Sequence, residues 1–172
     1  LTCALCARPF PEQGPASYRL EYRKGNYRWL LDGEEVVSAV DRNGVWDVID
    51  TDSGKVAVTL ITTTEETGNR IAMVDHRHRA VATFVPAGDD AASKGLVRDS
   101  HDRVLMVTRT DGPTDIHVVD TGGRVLALAS RRRQDVPGLD LLVTRAGAAP
   151  NETIVFGVSL ALELLRREQL VP

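Results

Sequence analysis

From Ser17 to about Thr144 the chain alternates short apolar runs with polar turn residues, and the runs are rich in β-branched and aromatic side chains. That is the signature of strands. The pattern predicts twelve of them: Ser17–Tyr22, Tyr27–Leu31, Glu35–Val40, Val45–Ile49, Lys55–Ile61, Arg70–Val74, Ala80–Val85, Lys94–Arg98, Arg103–Thr108, Asp115–Val119, Arg124–Ala129 and Leu139–Thr144. The turns between them share a phrase. Asp41-Arg-Asn-Gly44, Asp50-Thr-Asp-Ser-Gly54, Asp75-His-Arg-His-Arg79, Asp99-Ser-His-Asp-Arg103 and Asp120-Thr-Gly-Gly-Arg124 each follow an apolar strand that ends in Asp. A carboxylate at the first turn position accepts hydrogen bonds from backbone amides two residues on, and Gly supplies positive φ. The last four aspartates lie 25, 24 and 21 residues apart, a quasi-repeat of hairpins rather than a strict solenoid period. Several strands, such as Lys55–Ile61 and Arg124–Ala129, carry consecutive apolar residues. They are covered in part on both faces, or they curve tightly with small residues inside.

The pattern then changes. Ala146-Gly-Ala-Ala-Pro150 is a breaker, Asn151 can cap a helix, and Ile154-Val-Phe-Gly-Val-Ser-Leu-Ala-Leu-Glu-Leu-Leu165 is apolar on every side, with Arg166 and Arg167 in the last turn where cations suit the helix dipole. A helix apolar all round lies in a membrane or in a core. About 12 residues fall well short of the roughly 20 that a spanning helix needs. The expected fold is therefore mainly β: a twelve-stranded antiparallel barrel over residues 17–172, wrapped around a buried C-terminal helix at 152–168 and preceded by an N-terminal segment, 1–16.

Hairpins closed around an apolar C-terminal helix resemble the tubby C-terminal-like superfamily, which includes tubby domains, phospholipid scramblases and LURP-one-related proteins. The phrases Val48-Ile-Asp-Thr-Asp-Ser-Gly-Lys-Val-Ala57 and Val118-Val-Asp-Thr-Gly-Gly-Arg-Val-Leu126, with the helix at Ile154–Leu165, carry the resemblance. It implies a non-enzymatic module that binds a lipid head group, a membrane surface or a protein partner. No position matches a phosphoinositide motif of the superfamily, and the chain has no long membrane-inserting C-terminal helix.

Charge and chemistry adjust this picture modestly. The 172 residues have a net charge of −3, a poor match to the basic surface that general nucleic-acid binding requires. Arginine greatly outnumbers lysine, either from codon bias or from a phosphate-recognising surface. Candidate anion contacts are Arg131, Arg132 and Arg133 in the strongest basic run, and Arg77 and Arg79 beside His76 and His78. For each the solvated turn is the better reading. His101 and His117 complete the histidines without metal-ligand spacing. Asp50-Thr-Asp52-Ser-Gly54 opens like a calcium loop, but its twelfth position is Ile61. Tyr27 and Trp29 fall on one strand face and suit the core.

Cys3-Ala-Leu-Cys6 is the only C-x-x-C. Two thiolates can grip half a zinc site, which needs four ligands, so this segment is an inert tail or a half-site completed by a second chain. The alternative function is accordingly an interaction protein assembled around zinc. With no other cysteines a disulfide framework is not expected, and no basic start followed by an apolar run suggests a signal peptide. A cytoplasmic protein, either free or peripheral to a membrane, is the expectation. No nucleophile elbow, phosphate loop or dinucleotide fingerprint is present.

Overall fold

The computed structural model describes residues 16–66, 68–87, 94–112, 114–131, 136–144 and 149–170. Twelve antiparallel strands form a closed barrel: β1 (Ala16–Arg23), β2 (Asn26–Leu31), β3 (Glu34–Arg42), β4 (Val45–Asp50), β5 (Val56–Glu65), β6 (Gly68–Val74), β7 (Ala80–Pro86), β8 (Gly95–Arg98), β9 (Val104–Asp111), β10 (Asp115–Asp120), β11 (Val125–Arg131) and β12 (Gly138–Val143). Each strand pairs with its neighbours in sequence, and β1 closes the barrel on β12 with Tyr18 opposite Leu141. One helix follows, α1 (Ala149–Leu170). All twelve expected strands and the helix are present, with bounds moved by a few residues.

α1 runs through the barrel. Its residues are buried around the whole circumference from Ile154 to Glu163, with only Leu164 and Arg167 partly exposed as far as Arg167. It meets β12 and β11 on one side and β5, β6 and β7 on the other. Strand alternation aims Leu20, Trp29, Val48, Leu60, Met73, Phe84, Met106 and Leu141 inward onto it. Phe156 takes Tyr18 and Trp29 edge-on, with ring centroids at 5.0 and 5.6 Å. Trp29 Nε1 donates to Ser159 Oγ at 3.2 Å, and Ser159 Oγ donates to Phe156 O at 2.7 Å, so the indole and the one buried serine of the helix satisfy each other. Small residues set the fit. Gly157 lets Met73 Sδ approach, and Gly95 leaves room for the Phe84 ring from the next strand. The outward positions include charged cross-strand partners, Glu21 with Arg28 and Asp140 with Arg19.

The up-and-down topology gives the barrel two distinct rims. The even-to-odd hairpins, with the start of α1, lie at the entry rim. The odd-to-even hairpins, with the end of α1, lie at the exit rim. All five entry-rim hairpins carry a register shift, and none of the six exit-rim pairings does. Each shift adds a residue to one strand, which sharpens its twist and bends the wall.

Gly138 opens β12 at φ +112°, and a Cβ there would collide with the carbonyl of Leu20 on β1. Gly25, at φ +87°, has open space around the same position. Gly25→Ala should therefore cost about 1 kcal/mol, from backbone strain alone. Gly138→Ala should cost at least ~2 kcal/mol, because the wall must also move. Urea unfolding midpoints of the two variants compare these directly, and equal losses would contradict the steric reading.

Candidate functional site

The aspartate phrase is a structural module at the entry rim. In the β6–β7 turn, Asp75 Oδ1 accepts the amides of Arg77 and Arg79 at 2.9 and 3.0 Å, and Arg79 Nε donates to Oδ2 at 3.0 Å. The β8–β9 turn repeats it: Asp99 Oδ1 takes the amides of His101 and Arg103, both at 2.9 Å, and Oδ2 takes Arg103 Nε at 3.1 Å. In the β10–β11 turn Asp120 Oδ1 takes the amides of Gly122 and Arg124. The fourth residue of each turn has positive φ: His78, Asp102 and Gly123. These bonds, led by the amide of Arg79 or Arg103, hold the Asp75 and Asp99 carboxyls below the usual carboxylate range. The aspartates are thus turn-forming groups.

Asp41-Arg-Asn-Gly44 does not belong to this set. Asp41 lies within β3, and Asn43 and Gly44, at φ +58° and +87°, make a two-residue turn at the exit rim. Asn-Gly fits a primed hairpin turn whose twist matches the strands, so the chain reverses without the longer loop.

The rims also separate the arginines singled out from the sequence. Arg77 and Arg79 sit at the entry rim, exposed, and Arg79 is folded onto Asp75. Arg131 ends β11 at the exit rim, half-buried. One small ligand cannot touch both sets. Arg132, Arg133, Cys3 and Cys6 lie outside the described residues, as does most of the 1–16 segment. His76, His78 and His101 are exposed entry-rim turn residues, and His117 lies within β10. Among the described residues no three His, Cys, Asp or Glu side chains cluster as a metal site. No helix of the described residues is long and apolar enough to cross a membrane.

The exit rim brings together residues the sequence pattern did not connect. β1 ends in Tyr22 and Arg23, and Lys24 and Gly25 turn the chain at φ +51° and +87°. Arg167, in the last turns of α1, lies over Tyr22 at 4.6 Å and beside Tyr27 at 5.9 Å from the ring centroids. Its Nη1 donates to the Tyr27 hydroxyl at 3.4 Å. One turn earlier the helix buries two charges. Glu163 is 0% exposed and Arg166 is 7% exposed. Glu163 Oε1 accepts from Arg166 Nη2 at 2.7 Å and from the Gly138 amide at 2.9 Å, and Arg166 Nη2 also donates to Val136 O at 3.1 Å. The helix end is thereby bonded to both the β1–β2 tip and the start of β12. The two large hydrophobic residues exposed among the described residues, Tyr22 and Val136, are both here. The sequence pattern does not single out Arg23 and Lys24, gives Arg166 and Arg167 only as dipole-matching cations, and places Glu163 within a run that reads as apolar on every side.

No protein-family profile and no curated protein sequence matches the chain. Among solved structures, the X-ray structure of a protein from Arabidopsis thaliana is similar with a TM-score of 0.63, 15% sequence identity and coverage of 93% of this chain and 94% of that one. At that identity the likeness is one of fold. The class it supports is one of architecture: a closed twelve-stranded antiparallel barrel with a single C-terminal helix.

Burial first, then the negative charge of Glu163, pushes the Tyr27 phenol up to about 12, against the lowering effect of Arg167. An acid with a raised folded pKa stays neutral longer in the native state. Its contribution is complete below the unfolded value of 10.0 and is lost as pH rises through about 12. Urea midpoints should therefore fall across that interval, and Tyr27→Phe should flatten the fall. An equally steep fall in the Phe variant would contradict the assignment.

Proposed function

We propose that the protein is a non-enzymatic module that docks on an anionic membrane surface through its exit rim. The observation that carries this reading is the coincidence there of Tyr22 and Val136, the two exposed large hydrophobics among the described residues, with Arg23, Lys24, Arg131 and Arg167. Basic residues gain about 1 kcal/mol each near an anionic leaflet, and tyrosine favours the interface between head group and hydrocarbon. The filled lumen supports the same reading, since α1 occupies the space where a barrel of this size would otherwise hold a ligand. Arg131 ends β11 at this rim, and Arg132 and Arg133 follow it in the sequence. Glu65 belongs to another sector of the rim, whereas Asp115 lies beside the end of β11 and accepts from Ser130 Oγ at 2.8 Å, so the preferred docking edge centres on β12, β1 and β2.

Co-sedimentation with vesicles tests this. Phosphatidylserine-containing vesicles should bind the protein at low salt, and neutral phosphatidylcholine vesicles should bind it far more weakly. Binding should weaken as the Debye length shrinks. Reversing Arg23 and Lys24 together to Glu should lower affinity at least about tenfold. Arg77→Glu at the opposite rim should change it little. Equal binding to both vesicle types, or equal sensitivity to Arg77→Glu, would remove the basis for the proposal.

A further inference from the structure

The ion pair inside the barrel is a poor way to hold a helix in an apolar lumen. Removing two charges from water costs several kcal/mol each, and apolar replacements of similar volume are often as stable or more so. The pair is not even fully satisfied: Glu163 Oε2 and Arg166 Nε are buried with no hydrogen-bond partner. What distinguishes it is where its bonds go. Glu163 reaches the amide of Gly138 and Arg166 reaches the carbonyl of Val136, so both fasten the same short stretch where the chain returns from β11 into β12. Gly138 is itself wedged against Leu20 on β1. The next helix residue, Arg167, lies on Tyr22 at the β1–β2 tip. Three separate elements of the exit rim are therefore held in one arrangement by a single helical turn.

We infer that Glu163 and Arg166 are positioning residues for the exit rim: they touch no ligand, but fix the β11–β12 return and Arg167 relative to the β1–β2 tip so that the rim's cations and apolar side chains face one plane. This rests on the membrane-docking reading for its purpose, but not for its mechanics. The pair works as a tether, and the direction of its bonds, from helix to backbone, makes it independent of the side chain at Val136.

The full chain carrying Glu163→Leu and Arg166→Leu together tests the inference. The double variant leaves no charge unpaired and should unfold cooperatively, at a urea midpoint equal to or above that of the parent. Hydrogen exchange should nevertheless rise at least about tenfold in peptides covering Val136–Leu139, with β5, β6 and β7 unchanged. Affinity for phosphatidylserine vesicles should fall about fivefold to tenfold. Should the double variant not fold, Glu163→Gln keeps the side-chain shape and removes the charge, and a smaller but equally local rise in exchange is expected. Unchanged exchange at Val136–Leu139, or a rise spread evenly over the barrel, would overturn the tether. Exchange that rises locally while vesicle affinity holds would overturn its role in positioning the rim. The Arg23 and Lys24 reversal separates the two ideas: if it leaves vesicle binding intact the docking reading fails, while the exchange result still decides the tether.

Discussion

A twelve-stranded barrel encloses more space than its own inward side chains can fill, and here the surplus is occupied by an α-helix. Almost every other feature follows from that fit. The inward face of each strand has to alternate large and small residues so that the wall meets a cylinder, which is why Phe84 lies over Gly95 and Met73 packs onto Gly157. The helix in turn has no solvent side to carry polar residues, so Ser159 is present with Trp29 as its partner. Closure of β1 on β12 leaves no strand edge to recruit another chain, and removes the usual hazard of a sheet with so many strands.

Most of this architecture could be read from the chain because both signals are local. A strand shows itself by alternation within six or seven residues, and the helix shows itself by apolar residues on all sides from Ile154 to Leu165. The enclosure followed by elimination, since the helix is too short to span a bilayer. Other features depended on relations between distant residues. The similar wording of Asp41-Arg-Asn-Gly44 and Asp75-His-Arg-His-Arg79 concealed that they lie at opposite rims, because rim identity depends on counting strands and not on the turn sequence. Arg77 and Arg131 looked like parts of one candidate surface for the same reason. Glu163 lies within a run that reads as apolar on every side. Its partner Gly138 and the Val136 carbonyl that Arg166 reaches lie 25 and 30 residues upstream of the two charges, and no periodicity in the helix points to them.

The two rims have contrasting physical character. At the entry rim charge is used up locally: carboxylates accept backbone amides, arginines fold back on them, and bulges bend the wall. At the exit rim the hairpins are regular and the acids are fewer near α1. Its polar contacts combine local pairs, such as Arg42 with Asp47 and Arg70 with Glu65, with long-range ones between helix and wall. A mildly acidic chain can thus carry a basic edge, since its net charge of −3 is an average over surfaces with different roles. The comparison with the Arabidopsis protein bears on the barrel and its helix, and the rim chemistry described here belongs to this chain's own residues.

The position of the helix after all twelve strands has a kinetic consequence. During synthesis the inward faces of Trp29, Leu60, Phe84 and Met106 are made long before the segment that covers them. The pairing that closes the barrel, Tyr18 with Leu141, joins nearly opposite ends of the strand series. A wall made of neighbouring hairpins can assemble early and locally, but it stays an open, sticky sheet until the helix arrives. A segment made after all twelve strands is then the one that turns a curved sheet into a closed barrel, and any delay in its arrival is time spent exposed to aggregation.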